Sequence, residues 1–211
     1  MTARSAPVGP PDWRFESILW RDGVRPVAGV DEAGRGALAG PIVAAAVILP
    51  HGAHPFRDSK TIPAPQRERW AREVREIAFA WGVGFASAAE VDRHGVPSAT
   101  LQAALRAIRQ LSPAPAGLVT DYLRIPGPYR VLAPARADAA SLQAAAASLL
   151  AKTERDRWMR EVADATWPAY GFARHKGYGV RDHLAALHAH GPCDLHRRRF
   201  APVAQAGLFA P

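Results

Sequence analysis

The chain has 211 residues, a formal net charge of +8 and a hydrophobic fraction of 48%, which suffices for one well-packed core. Its single cysteine, Cys193, excludes an internal disulfide, and no apolar run reaches the roughly 18 residues that a membrane span needs. Residues 1–17 lack the apolar segment of a secretory signal, so we expect a cytoplasmic protein with no membrane partner. A monomer is the default expectation.

The excess of basic residues favours a polyanionic partner. The 27 basic residues include only three lysines, so the other 24 are arginines. Arginine forks match phosphate oxygens and are weakly hydrated, as a nucleic-acid surface requires. A GC-rich genome would also produce a chain rich in arginine and alanine, so the charge alone leaves nucleic-acid binding open.

The first half of the chain predicts three strands and one helix behind a short lead-in. Residues 1–25 are interrupted by Pro and Gly and predict a lightly ordered segment. Apolar runs of strand length follow at 26–31, 41–49 and 78–88, the first two separated by a glycine-rich turn. Between the second and third runs, the spacing of Trp70, Val74 and Ile77 predicts a helix over 63–78.

The second half predicts alternating helices and strands. Helices are expected at 98–111, 139–165 and 181–190, short strands at 117–123 and within 129–138, and a loop at 170–180. This order favours an α/β domain, a mixed sheet with helices packed on it, over residues 26–203. Residues 204–211 are expected to form a C-terminal tail.

Four acidic residues lie where predicted strands or loops end. They are Asp31, Glu32, Asp121 and Asp138. Sites in open α/β sheets gather at strand termini, so carboxylates distant in sequence can converge there. Four such carboxylates suit two divalent ions about 4 Å apart in a phosphoryl-transfer site. Mg²⁺ or Mn²⁺ is expected, because hard cations prefer oxygen ligands. Spacing alone leaves open the alternative that the four are merely solvated.

Five segments of the chain resemble one known family. They are GVDEAGRGALAGPIVAAAVIL at 29–49, DSK at 58–60, AAASLLAKTERDR at 145–157, YGFARHKGYG at 170–179 and HRRRFAPV at 196–203. Together they closely resemble bacterial ribonuclease HII, over residues 26–203. The resemblance implies a ribonuclease H-like fold with a mixed five-stranded sheet flanked by helices and a C-terminal helical segment.

The same resemblance implies an activity and its partners. An endoribonuclease is expected that cleaves the RNA strand of RNA/DNA hybrids. It would also incise 5′ to single ribonucleotides embedded in duplex DNA, leaving 5′-phosphate and 3′-hydroxyl ends. Ribonuclease HIII is the nearest rival, but that family has an extra N-terminal domain and lacks the GRG loop. A catalytically silent hybrid-binding protein would require loss of a carboxylate, and all four are present.

By motif position, the four acidic residues resemble the catalytic and metal-binding carboxylates of the family, which would hold two ions with substrate bound. Two departures occur around them. The family usually continues the third aspartate as DGN, where this chain has DYLRIPG after Thr120, and often has KGD where this chain has RAD at 136–138. Asp156 is a rival ligand, but it resembles a helix position that we interpret as structural.

The resemblance also assigns substrate contacts. The loop Gly34, Arg35 and Gly36 resembles the family segment that touches the junction between RNA and DNA, and Tyr178 resembles a tyrosine that stacks on the following deoxyribose. Further candidates for phosphate contact are Lys60, Ser148, Lys152, Arg174, His175 and Lys176. Two of these have an alternative interpretation, because Lys152 could pair within its helix and Ser148 could simply pack against it.

Two further motifs lie near the C-terminus. His188, His190, Cys193 and His196 have spacing that could bind zinc, but the family carries this segment without a structural metal, so we set zinc aside. The tail sequence QAGLF resembles the short peptide by which bacterial repair proteins dock on the sliding clamp. Its anchors would be Gln205, Leu208 and Phe209, and the alternative is a tail that packs on its own domain.

Overall fold

Five strands form one mixed sheet in the computed structural model, which describes residues 9–207. The strands are β1 (Val27–Ala33), β2 (Ile42–Ile48), β3 (Ala80–Ala86), β4 (Gly117–Thr120) and β5 (Arg130–Leu132). They lie in the order β3-β2-β1-β4-β5. The first three strands are antiparallel neighbours, and β4 and β5 run parallel to β1. The predicted mixed α/β architecture is confirmed.

Helices cover the sheet and form the C-terminal segment. They are α1 (Arg14–Arg21), α2 (Ala64–Ile77), α3 (Ala88–Ile108), α4 (Leu142–Trp158), α5 (Asp164–Thr166), α6 (Phe172–His175), α7 (Arg181–His190) and α8 (Ala201–Gly207). A π-helical turn at Met159–Ala163 joins α4 to α5, which together nearly match the predicted helix over 139–165. Within the described residues, none of the helices has the length and apolar character that a bilayer crossing requires.

Helix α4 packs directly on the central strand because both surfaces are made of small residues. A Cβ on Gly29 in β1 would lie 2.1 Å from the carbonyl carbon of Gln143, so only glycine allows this approach. The buried Gln143 side chain donates to the Val27 carbonyl (2.7 Å) and accepts from the Leu49 amide (2.9 Å). These contacts fix α4 beside the end of β1, where the first two acidic residues lie.

The expectation of a lightly ordered lead-in is wrong for residues 14–21, which form α1. Leu19 is fully buried against the sheet, and Glu16 is buried at the start of α4. Glu16 accepts hydrogen bonds from the Ser141 hydroxyl and the Gln143 amide. A carboxylate favours the N-terminal end of a helix, where amide groups lack partners. Burial nevertheless raises the pKa of Glu16.

The C-terminal segment is more helical than predicted. The expected loop at 170–180 contains the short helix α6, and the expected tail from residue 204 is helical as far as Gly207. A histidine ladder crosses this segment: the His175 and His183 rings stack with centroids 4.4 Å apart, and the His183 and His196 Nε2 atoms are 3.1 Å apart. The ladder packs α6 and α7 against the chain that follows them.

This histidine ladder predicts acid destabilisation. Burial, with the nearby His183 second, lowers the pKa of His196 to about 4, and burial also lowers those of His175 and His183. A depressed histidine pKa contributes stability that is complete above the unfolded value of about 6.5 and is lost as the pH falls toward 4. The free energy of unfolding should therefore fall by roughly 2 kcal/mol from His196 alone between pH 7 and pH 4.5.

Urea unfolding followed by circular dichroism at several pH values measures this dependence. Other groups face the ladder, namely Arg174, Lys176, Asp182, Cys193 and Arg198, and the acidic residues titrate in the same range. The comparison with His196→Asn isolates the histidine, since that variant should show a shallower loss below pH 6.5. Identical pH profiles for the two proteins would contradict the prediction.

Candidate active site

The acidic residues Asp31 and Glu32 lie near the end of the central strand. In β1 they pair with Ala45 and Ala44 of β2, so small side chains leave room around them. Successive strand residues point to opposite faces, and Asp31 is buried while Glu32 keeps part of its surface. Asp31 as a whole is only 4% exposed, so its environment decides the charge of its carboxyl group.

Asp121 and Asp138 reach the same place from two other elements. Asp121 follows β4, whose last pair with β1 is Val30 with Thr120, so Asp31 and Asp121 continue adjacent parallel strands. The Asp121 carboxylate accepts the Arg136 amide at 2.6 Å, which closes the intervening loop. Asp138 lies buried in a 3₁₀ turn just before α4. The structure therefore places the four predicted acidic residues in one region, at the ends of β1 and β4 and in the turn before α4.

Their proximity is electrostatically unfavourable. Burial raises the pKa of Asp31 well above its ordinary value, and the charges of Glu32 and Asp138 raise it further. Burial also raises the pKa of Glu32, with Asp121 adding to the effect and Arg35 opposing it. Like charges at close range disfavour ionisation of each other, so this cluster favours a bound cation.

Lys60 supplies part of that positive charge. Its ammonium lies 3.1 Å from Asp138 Oδ2, held there by a turn in which the Asp58 carboxylate accepts the Lys60 amide at 2.9 Å. Burial alone would lower the pKa of Lys60, but the hydrogen bond and charge of Asp138, with that of Asp31, raise it instead. Lys60 therefore stays charged and partly neutralises the cluster.

The donor set suits a hard divalent cation. All four side chains offer carboxylate oxygens, which Mg²⁺ and Mn²⁺ prefer, and no thiolate is among them. Among residues 9–207, no three Asp, Glu, His or Cys side chains already converge as a closed metal site. The reason is visible in the pairings, since Glu32 is turned to Arg35 (3.2 Å) and Asp138 to Lys60.

Two of the acidic residues, Glu32 and Asp121, line an open cleft of about 690 Å³. Its lining comprises Glu32, Ala33, Gly34, Arg35, Gly36, Ser59, Lys60, Arg67, Asp121, Lys152 and Tyr178. Carboxylates therefore occupy one part of the wall, while cationic side chains and a glycine-rich backbone occupy the rest. A polyanion could bring its backbone to the carboxylates and find basic groups on either side.

The two glycines of the loop at 34–36 lack a side chain for different physical reasons. Gly34 has φ +95°, and a Cβ there would lie 2.0 Å from Nε of Arg155. A Cβ at Gly36 would meet nothing within 4 Å, so the missing side chain leaves open space at the cleft. Arg35 projects between them with half of its side chain exposed.

Tyr178 lies against two cations of helix α4. The Lys152 ammonium is 5.3 Å and the Arg155 guanidinium carbon 5.1 Å from the centre of its ring. Lys152 also pairs with Asp156 at 2.7 Å, so both interpretations of Lys152 apply. Asp156 is engaged further by Arg67 at 3.3 Å, which supports its structural interpretation.

Four of the predicted substrate contacts do not line the cleft. Ser148 is buried and its hydroxyl lies 2.7 Å from that of Ser59, so the structure favours packing over phosphate contact. The Arg174 guanidinium folds back over Gly171. The remaining two, His175 and Lys176, are bonded to backbone carbonyls of their own segment. Arg174, His175 and Lys176 therefore support their own segment rather than face the opening.

The side chains considered for zinc are also spread apart. The Cys193 thiol lies 3.2 Å from Nδ1 of His196, while His188 and His190 are exposed on α7. His196 instead completes the histidine ladder described above. Nothing in this geometry gives the segment a role at the cleft.

Two buried arginines, Arg155 and Arg197, were missed in the sequence. Both are fully buried and donate to carbonyls of the chain at 35–41. They belong to the TERDR and HRRR motifs. Such highly charged segments are usually solvated, so the sequence gives no sign that these two arginines are buried.

The fold is the one that the resemblance implied, a ribonuclease H-like mixed sheet flanked by helices, with acidic residues near the end of its central strand. The family model for Ribonuclease HII matches residues 28–203. A ribonuclease HII of Thermus thermophilus is 58% identical over 93% of this chain and 96% of its own. The chain belongs to the ribonuclease HII family.

Solved structures agree with this fold. The crystal structure of ribonuclease H2 from Pyrococcus horikoshii has a TM-score of 0.75 at 23% identity and covers 86% of this chain and 97% of its own. Ribonuclease HII from Archaeoglobus fulgidus, solved in a complex with PCNA, has a TM-score of 0.69 at 26% identity over 82% and 94% of the two chains. Family membership gives the chain ribonuclease H activity on RNA/DNA hybrids.

Proposed function

We propose that the protein also incises duplex DNA 5′ to a single embedded ribonucleotide, using divalent cations held by Asp31, Glu32, Asp121 and Asp138. The observation that carries this proposal is the carboxylate cluster: Asp31 and Asp138 are buried, while Glu32 and Asp121 line a cleft. Gly36, Arg35 and Tyr178 line the same cleft. The carboxylates would bind the cations needed for hydrolysis, and Gly36, Arg35 and Tyr178 would distinguish ribose from deoxyribose.

Metal binding follows from the charge of the cluster. Asp31, Glu32, Asp121 and Asp138 would hold two Mg²⁺ or Mn²⁺ ions, which would supply a water activated for in-line attack and charge stabilisation of the leaving 3′-oxygen, leaving 5′-phosphate and 3′-hydroxyl ends. Asp31 is the ligand with the largest electrostatic reason to bind a cation, because burial and two neighbouring carboxylates disfavour its charge. Lys60 contributes positive charge beside Asp138 and can meet a substrate phosphate as well.

The glycine loop offers a means to recognise ribose. Gly36 leaves open space, so a sugar can approach the backbone there without meeting a side chain. A 2′-hydroxyl can both donate and accept, and it is the group that distinguishes RNA from DNA. Arg35, half exposed beside Glu32, can contact the adjoining phosphate or sugar.

Tyr178 offers a means to recognise the nucleotide that follows. Its ring is held against Lys152 and Arg155, so it presents a fixed apolar surface at the cleft. Deoxyribose can pack flat on such a surface, whereas a second 2′-hydroxyl would collide with it. Rejection of the wrong sugar at this position would favour the junction from RNA to DNA.

Cleavage of three matched duplexes tests the proposal: DNA with one ribonucleotide, a uniform RNA/DNA hybrid, and DNA alone. With Mg²⁺ or Mn²⁺ we expect incision 5′ to the ribonucleotide, mapped to one nucleotide on an end-labelled strand, and no cut in DNA alone. EDTA and Asp121→Asn should each abolish cleavage. Cleavage of the uniform hybrid alone would refute junction recognition, and binding without any cleavage would indicate the silent hybrid-binding protein.

A sliding clamp is the protein partner that we propose. Gln205 is exposed on α8, while the anchors Leu208 and Phe209 lie outside the described residues. The relative from A. fulgidus forms a complex with PCNA, which supports clamp binding by the family. Pull-down by the bacterial clamp should be lost when residues 205–211 are deleted, with cleavage retained. Equal binding by the two proteins would contradict a role for the tail.

The remaining expectations concern organisation and location. We propose a catalytic unit over residues 26–203 with the helix α1 packed on it, acting as a monomer in the cytoplasm. Its single cysteine, Cys193, fits a reducing compartment. Sedimentation of the purified protein measures the oligomeric state, and a dimer at micromolar concentration would contradict the monomer.

A further inference from the structure

Arg155 and Arg197 are buried without a carboxylate partner. Both side chains are fully buried, and within residues 9–207 neither forms an ion pair with Asp or Glu. A buried charge without a counterion is costly. Burial accordingly lowers the pKa of both guanidinium groups, that of Arg197 to about 9. What they bind must therefore compensate for their burial.

Their partners are carbonyl groups of a single loop. Arg155 donates to the carbonyls of Pro41 (2.9 Å) and Ala39 (3.2 Å). Arg197 donates twice to Gly40, at 3.1 and 2.8 Å, and once to Arg35 at 2.8 Å. The two guanidinium groups thus hold the chain that continues from the glycine loop, and Arg197 reaches the loop itself.

Arg155 makes two contacts that Arg197 lacks. Its side chain fills the space beside Gly34, where a Cβ would lie 2.0 Å away, and its guanidinium lies under the ring of Tyr178. The same two segments are also joined by their backbones, because the Leu38 amide donates to the Gly177 carbonyl at 2.8 Å. Arg155 is therefore the side chain shared by the glycine loop and the tyrosine.

We propose that Arg155 is a positioning residue for substrate choice: it fixes Tyr178 relative to Gly34 and so sets the preference for a junction over a uniform hybrid. This inference rests on the proposed function of the loop and the tyrosine. Arg155 does not line the cleft, so it acts through these two segments and not by touching substrate. A displacement of about 1 Å between reading groups costs up to about 100-fold in rate, enough to erase such a preference.

The test combines a spectroscopic and a kinetic measurement on Arg155→Met and Arg155→Lys. The four tyrosines are labelled as fluorotyrosine, and the ¹⁹F resonance of Tyr178 is assigned with Tyr178→Phe. Arg155→Met should shift and broaden this resonance while leaving the other three unchanged. Its ratio of kcat/KM on the one-ribonucleotide duplex to that on the uniform hybrid should fall at least 10-fold. Arg155→Lys keeps the positive charge but lacks the planar guanidinium group. It should therefore show smaller changes than Arg155→Met in both the Tyr178 resonance and the substrate ratio.

A matched variant separates positioning from loss of stability. Val74→Ala removes two methyl groups from a fully buried side chain of α2, so it should lower stability with the Tyr178 resonance and the substrate ratio unchanged. The inference would be overturned if kcat/KM fell equally on both substrates, or if the Tyr178 resonance were unshifted in both Arg155 variants. If the wild type shows no junction preference, the recognition roles proposed for the glycine loop and Tyr178 fail, and the ¹⁹F spectra still decide whether Arg155 positions Tyr178. Should Arg155→Met not fold, Arg155→Lys carries both measurements.

Discussion

Asp31→Asn is expected to abolish cleavage and at the same time to make the protein more stable. Asn has nearly the same shape as Asp but carries no charge, so it cannot replace the carboxylate in binding a cation. Loss of a metal ligand at a phosphoryl-transfer site should reduce kcat by at least about 1,000-fold. The gain in stability follows from the raised pKa of Asp31, which means that folding disfavours its charged form.

Because the pKa of Asp31 is raised on folding, the gain in stability of Asp31→Asn depends on pH. A carboxyl whose folded pKa is raised contributes stability that is present below its unfolded pKa and is lost as the pH rises through the folded value. Asp31→Asn should therefore match the wild type near pH 3.5 and exceed it at pH 8. We expect a difference on the order of 1–2 kcal/mol at pH 8, the usual size when an active-site charge is removed.

Urea unfolding in EDTA measures this difference, because bound cations would stabilise only the wild type. Asp12→Asn is the matched control. Asp12 is an exposed carboxylate whose pKa is lowered, first by a hydrogen bond from Arg14, so its substitution should not raise stability and should leave cleavage intact. A drop in the stability of Asp31→Asn at pH 8 would contradict the electrostatic account of the cluster.

Tyr178→Ala is expected to weaken cleavage at a single ribonucleotide much more than cleavage of a uniform hybrid. Within residues 9–207 the Tyr178 hydroxyl makes no side-chain hydrogen bond, so its ring is the part that the fold positions. Stacking on an aromatic ring is worth about 1–3 kcal/mol, which corresponds to roughly 10- to 100-fold in kcat/KM. Tyr178→Phe keeps the ring and should keep most of the preference.

Competition between the two duplexes in one reaction gives the ratio of kcat/KM directly. Phe79→Ala is a suitable control, since Phe79 is 69% exposed and lies before β3, outside the lining of the cleft. That variant should leave the ratio unchanged. If Tyr178→Phe lost as much preference as Tyr178→Ala, the hydroxyl and not the ring surface would be the reading group.

The strands were accessible from the sequence because their signals are local. An apolar run of strand length predicted β2 at 41–49, and it forms at Ile42–Ile48 because both faces of the strand are covered. Helix α7 coincides with its predicted bounds, since Gly191 and Pro192 end it. Helix α3 is kinked at Gly95 (φ +79°), so the predicted helix at 98–111 matches its second part. The first part, from Ala88, was not predicted, although Ser87 and Glu90 form a capping box that the sequence displays.

The acidic residues of the site could also be predicted from the sequence, whereas the buried arginine that supports the neighbouring loop could not. Carboxylates at strand ends converge by topology, so Asp31 and Asp121 could be paired in advance. The burial of Arg155 could not, because no periodicity distinguishes a buried guanidinium from a solvated one, and its partners are carbonyls more than 100 positions away in sequence. The role of Gly34 depends on Arg155, so it too emerged only with the tertiary contacts.

The placement of the lysines has a practical consequence for immobilising the protein. The chain has only three lysines: Lys60 at the carboxylates, Lys152 under the ring of Tyr178, and Lys176 two residues before that tyrosine. Lys60 is the more accessible of the two that line the cleft, with 67% of its side chain exposed against 20% for Lys152. Coupling through lysine side chains to a sensor surface would thus favour Lys60 at the cleft itself, so a tag placed elsewhere is the better attachment for binding studies.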